Sequence, residues 1–376
     1  IACTYILAPF TENPARAMAA GVIIGGLIQA GFQIPFVLKQ GWKLSFTSIN
    51  KAFSNPGTRK VLKLVGPTII GMAAYQLNDI VSTALAGRAG SGIVSSLQYS
   101  LRLQELILGI FAVSIGTVIL PDLSSFAKQE RWKDFNSMLS RAMDIIALIT
   151  IPVTFFSLAL GENIIILVFK NNRFTDESVR LTLEAFMYHI GGLYFIALNR
   201  IVSPAFYAQG NTKSPTFAGL IGFGINIALA VTLVTPMRGA GIALALSLAS
   251  LGNTAALFVF LRRNPKVDVA SVVRHSALYA VKMVCFSAVA IAPVVLLKKL
   301  FFSVGEGAES GVANSSFVEA LAALPRIFAQ GIPLLISLAV FGAVGILLLT
   351  VTKDPLAVSV LQKMRTGRMG KLFRKR

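Results

Sequence analysis

Stretches of about 20 mostly apolar residues, the length a helix needs to cross the hydrocarbon of a bilayer, recur along this chain from residue 18 to residue 351. In that medium each backbone polar group must be satisfied within its own segment, so each stretch reads as a transmembrane helix. Windows near 18–38, 63–87, 92–120, 140–161, 182–207, 214–234, 239–261, 275–297 and 327–351 give nine complete spans. The opening IACTYILAPF is half a span, and the chain begins with Ile, so it reads as truncated at its N-terminus. Composition agrees, since 55% of the residues are hydrophobic and 14% charged, unlike a soluble domain. The expected fold class is an all-α polytopic membrane protein.

Charge orients the bundle. An odd number of spans puts the loop at 11–17 and the tail at 352–376 on opposite sides. The loops 39–63, 121–141, 208–213 and 262–274, together with that tail, hold 23 of the 35 Lys and Arg, against nine in the other loops. Cytoplasmic loops collect Lys and Arg, so this side, with the tail KMRTGRMGKLFRKR, is expected inside a bacterial cytoplasmic membrane. The net charge of +19 then reflects topology and contact with anionic phospholipids. Because the basic tail directly follows a span, no nucleic-acid partner is expected.

The remaining basic residues, Arg102, Arg200 and Lys282, fall within spans, as do Asp79, Glu105, Asp144 and Glu184. A charge facing lipid costs about 2.5–3.5 kcal/mol or more, so each should face a cavity, a partner or an interface. Tyr75, Asn78, Asp79 and Ser82 share one face of their helix, and Ser91, Ser95, Gln98, Arg102 and Glu105 form a stripe on the next. Two consecutive polar stripes suggest a lined cavity. The alternative is structural: Arg102 neutralised by Glu105 at i+3, or by Asp79 across the helix interface. Arg200, beside Asn199, either serves cargo or snorkels, and Lys282 is expected to snorkel. Asp144 and Glu184, near helix ends, are expected to be wetted, and His189 is a weak candidate proton relay.

Glycines and prolines inside the spans, among them Gly191-Gly192 and Ser203-Pro204, allow close approach and bending. Cys3 and Cys285 lie far apart in apolar segments and read as packing residues. There is no HExxH, GxSxG or Walker motif, and the longest loops are too short for a catalytic domain. The chain is therefore expected to transport rather than catalyse. No cofactor is expected, and an ion gradient or the membrane potential would drive the work.

Two stretches carry a resemblance. LRLQELILGIFAVSIGTVILPDLSSFAKQ at 101–129 looks like an Arg-bearing helix with its GTVILP exit, and AFYAQGNTKSP at 205–215 matches the pattern FY-x-x-x-(D/N)-x-K-(S/T)-P. With the helices that follow to residue 263, these resemble the MurJ (MviN) lipid II flippases of the MOP exporter superfamily. The resemblance implies fourteen helices in two six-helix lobes plus two more at the C-terminus. On this chain it implies the end of the first lobe at 1–38, an inter-lobe loop at 39–62, a complete second lobe at 63–261, the two extra helices at 262–351 and a basic tail at 352–376.

It also implies a function: alternating access that moves undecaprenyl-pyrophosphate-linked peptidoglycan precursor from the inner to the outer leaflet. Arg102 sits where the family places a cavity arginine, and Leu101 replaces the acidic residue that often precedes it. Asp79, Asn78, Gln98, Glu105 and Arg200 complete the candidate cavity set. The family's other cavity arginines belong to the first lobe, so these 376 residues alone are not expected to transport. The lipid tail is expected toward 275–297 and 327–351. Alternatives are a flippase or exporter of another lipid-linked oligosaccharide or drug in the superfamily, or a scaffold recruiting cell-wall synthesis proteins through loops 39–63 and 121–141.

Overall fold

The structure, a computed structural model, describes residues 6–11, 13–41, 48–302 and 326–356. They form two units, 1–63 and 64–376. The first holds a 3-10 turn at Ala8–Phe10, helix α1 (Pro14–Lys39), the short α2 (Ile49–Ser54) and the first residues of α3 (Pro56–Ala89). The second holds the rest of α3, then α4 (Ile93–Lys128), α5 (Trp132–Phe169), α6 (Asp176–Gly191), α7 (Leu193–Ala208), α8 (Lys213–Leu261), α9 (Val269–Phe302) and α10 (Arg326–Val351). Seven of the nine expected spans fall inside these helices; 92–120 begins one residue before α4, and 182–207 runs across the break between α6 and α7 at Gly192. Among the described residues, α1, α5, α8, α9 and α10 meet the length and apolarity of a membrane span, and the pair α6–α7, bent by 45°, makes a sixth.

The breaks in the helices have local causes. At about 1.5 Å per residue the 49 residues of α8 would run to roughly 74 Å, more than twice the ~30 Å hydrocarbon. The helix turns back at Arg238, where φ is 47° and ψ is −125°, just after Pro236. Its two arms are the expected spans 214–234 and 239–261. Between α6 and α7 the break falls at Gly192, where a Cβ would lie 2.8 Å from the Cα of Ser247 on the second arm of α8. The Ser247 hydroxyl donates to the Tyr188 carbonyl at 2.6 Å, fixing that approach. Gly192→Ala should therefore push α8 off α6, a backbone clash of the kind that costs about 1–3 kcal/mol. The check is a lower melting temperature for the detergent-purified protein; an unchanged one would mean the contact yields.

Helix α5 is the hub of the second unit, packing against α4, α6, α7, α9 and α10. Its buried face, with Phe135, Leu139, Ile146 and Ile165, belongs to one core with Phe186 and Ile190 of α6, Leu193, Ile201 and Phe206 of α7, and Leu257 of α8. On α9 and α10 the pattern is reversed outward, with Leu278, Val281, Leu296, Leu335 and Leu347 all exposed. That is the surface of a helix facing lipid rather than water. Three loops from the basic side meet at one end: Lys266 pairs with Glu130 at 2.8 Å, and the Asn264 amide donates to Gln209 at 2.7 Å. The hydrogen bond from Lys266, helped by its charge, holds the Glu130 carboxyl below its ordinary range.

Two expectations are corrected at that end. Asp144 is buried, not wetted, with a carboxylate oxygen 3.1 Å from Nε2 of His275 on α9. Lys282 does not snorkel alone; its ammonium lies 2.7 Å from the fully buried carboxylate of Asp354, just past α10. In both cases a partner on a neighbouring element, invisible along one helix, faces the carboxylate. Glu184 is exposed as expected and pairs with Arg180 at 2.7 Å.

Candidate functional site

Helices α3 and α4 lie side by side in sequence, joined by Gly90-Ser91-Gly92, with Gly90 and Gly92 at φ of 144° and 80°. Beyond this turn their polar stripes converge. Asn78, Asp79 and Ser82 of α3, with Gln98, Arg102 and Glu105 of α4, line a cavity of about 230 Å3 closed by Ile242 and Leu246 of α8. Ser91 and Ser95, the first residues of the α4 stripe, are exposed and stand outside this lining, and the side chain of Tyr75 lies outside the described residues.

Arg102 is 73% exposed, and its guanidinium donates to Glu105 at 3.1 Å along the same helix. The i,i+3 pairing is thus present, whereas no Asp79–Arg102 ion pair occurs among the described residues. An exposed pair of this kind contributes about 0–1 kcal/mol, too little to explain an arginine at this depth. It leaves most of the Arg102 side chain exposed beside the cavity that it lines.

Arg200 lines an adjoining cavity of about 730 Å3, which shares Gln76, Asn78, Leu101, Glu105 and Leu246 with the first. Beside it, Asn199 donates to the Ser250 carbonyl at 3.1 Å and accepts from Thr254 at 2.8 Å, which fixes α7 to α8. All six candidate residues thus gather around two neighbouring cavities within the second unit.

Sequence reasoning missed several members. Asn226 on α8 is buried and donates to Asn78 at 2.7 Å and to Ser82 at 3.3 Å, so it holds the α3 stripe in place. Its signal was a single amide in the apolar run GLIGFGINIALAV at 219–231. A second polar row on α4, Ser96, Ser100 and Gln104, is buried on the side away from the cavity stripe. Ser100 lies 2.6 Å from Nδ1 of His189, and Gln104 donates to the His189 carbonyl. Their four-residue spacing was the available sign. His189 itself is buried and lines the smaller cavity.

The fold and the site together define a polytopic helical membrane protein that encloses polar, charge-bearing cavities among its spans. Residues 1–310 match the family described as lipid II flippase MurJ, and the chain belongs to that family. It is 40% identical over 96% of its length to a probable lipid II flippase MurJ of Treponema pallidum, of which it covers 66%. A Thermotoga maritima relative of the same description is 34% identical over 67% of this chain and 50% of its own. The chain thus spans from half to just under two thirds of these relatives. A solved lipid II flippase MurJ in an inward closed conformation superposes with a TM-score of 0.67 over 93% of this chain and 65% of its own, at 23% identity, which is a likeness of fold.

Proposed function

We propose that this chain forms the cargo-binding second lobe and C-terminal helices of a flippase that carries lipid II from the inner to the outer leaflet by alternating access. Arg102 carries the reading: a cavity-facing guanidinium in a chain of this family, held by one exposed carboxylate and otherwise open. A planar guanidinium can grip two oxygens of a pyrophosphate at once, with charge-assisted hydrogen bonds. Glu105 keeps it oriented while the cavity is empty and gives way when the more highly charged pyrophosphate arrives. Gln98 and Asn78 supply neutral hydrogen bonds to the same ligand, and Asp79 balances charge on the opposite wall.

In this reading the basic loops and the tail face the cytoplasm, where anionic phospholipids meet them. An ion gradient or the membrane potential drives the cycle, and the polyprenyl chain runs along the apolar outer faces of α9 and α10. The test is genetic: the full-length gene is expressed in cells whose own lipid II flippase is depleted. Sustained growth supports the assignment. Lysis with the protein present at normal membrane levels overturns it.

A further inference from the structure

A third cavity, of about 670 Å3, lies where α5, α9 and the residues just past α10 come together, and it shares no lining residue with the two cavities described above. Two carboxylates with almost no exposed surface line it: the Asp144 side chain is 7% exposed and that of Asp354 is fully buried. Lys282 lies 2.7 Å from Asp354 and balances that charge. Among the described residues Asp144 forms an ion-pair contact with His275 alone, whose Nε2 is 3.1 Å away. An imidazole is a cation only when it carries a second proton, and it ordinarily takes that proton up between about pH 5 and 8.

Without that proton the cluster holds two buried carboxylates and one ammonium, and an uncompensated buried charge is costly. The other groups around Asp144 cannot make up the difference. Tyr194 of α7 and Tyr279 of α9 are phenols, and Ser276 of α9 brings only a hydroxyl. Lys133 and Arg141 line the cavity from exposed positions, where water and salt screen them. Asp268, also exposed, adds negative charge and accepts the Ser271 backbone N–H at 3.0 Å. His275 is the member that water can reach, with its side chain 66% exposed. We propose that Asp144, His275, Lys282 and Asp354 are a proton-binding site, in which one proton on the Asp144–His275 pair completes the charge balance and the resulting ion pair holds α9 against α5. The folded chain then keeps a proton that the unfolded chain gives up, so this tie is present at low pH and is lost as pH rises. The site stands apart from both cargo cavities and does not depend on the flippase reading.

The test titrates the full-length protein, labelled at histidine, by NMR in nanodiscs. These 376 residues contain two histidines, and the His275 signal is the one that His275→Gln removes. His275 should hold its proton about ten-fold more tightly in the unsubstituted protein than in Asp144→Asn, which is about one pH unit in the titration midpoint. Equal midpoints, or a His275 that stays neutral down to about pH 5, would overturn the site. Melting in detergent supplies the second readout. Between about pH 6 and pH 8.5 the unsubstituted protein should lose melting temperature, while His275→Lys, whose cation persists over that range, should lose clearly less. Equal losses would overturn the tie between α9 and α5. Should Asp144→Asn fail to fold, the His275→Lys comparison decides by itself, because the side chain it replaces is mostly exposed.

Discussion

Replacing Arg102 by Ala is expected to abolish growth of cells that depend on this protein for lipid II flipping, with the variant present in the membrane at the unsubstituted level. The fold does not need the residue. Its ion pair with Glu105 is exposed and lies within one helix, where such pairs contribute about 0.2–0.5 kcal/mol. Losing a charge-assisted, two-point contact to a pyrophosphate costs much more, about 1.5–3 kcal/mol for each hydrogen bond, or ten-fold and upward in cargo affinity. Arg102→Lys keeps the charge but not the planar fork, and should support partial growth. Glu105→Gln, which removes only the resting partner, should grow nearly normally. Full growth with Arg102→Ala would make the arginine a structural residue and end the assignment of the smaller cavity to the pyrophosphate.

The helices were legible because the bilayer leaves the chain few choices. A run such as 327–351 can satisfy its backbone only as a helix, and its bounds in α10, Arg326–Val351, differ by one residue. The hairpin inside α8 was legible for the same reason: two apolar windows separated by Thr235-Pro236-Met237-Arg238 cannot both fit one crossing. Side chains that act along a single helix were also readable, and Asn78, Asp79, Gln98, Arg102 and Glu105 do share one cavity. Contacts between helices distant in sequence were not. Asn226 meets Asn78 across 148 residues, and Lys282 meets Asp354 across 72. Helical periodicity reports which face a residue occupies and says nothing about what that face meets.

Lys282→Met is expected to destabilise the protein severely, because it would take the ammonium away from a carboxylate that has no exposed surface. The Asp354 carboxylate is completely buried, and besides the Lys282 ammonium it takes the Tyr279 hydroxyl at 3.3 Å and the Leu356 backbone N–H at 3.0 Å. Lys282 is 30% exposed and also lies over the rings of Phe286 and Tyr279, 5.3 and 5.8 Å from their centroids. Removing the lysine takes a cation at 2.7 Å away from a fully buried anion, a change worth about 3–5 kcal/mol, whereas Asp354→Asn leaves a cation that still has water and two aromatic faces. The losses should therefore be unequal, with Lys282→Met lowering the melting temperature in detergent by on the order of 10 °C and Asp354→Asn by clearly less. The double variant Lys282→Met, Asp354→Leu should recover much of the loss, since a buried pair replaced by apolar side chains costs little. Because Asp144–His275 and Ser276–Ser140 fasten α9 to α5 beside this pair, the same experiment reports on how α9 and α10 are held to the second unit. A double variant as unstable as the sum of the single ones would show that Lys282 and Asp354 act separately and that the clamp lies elsewhere.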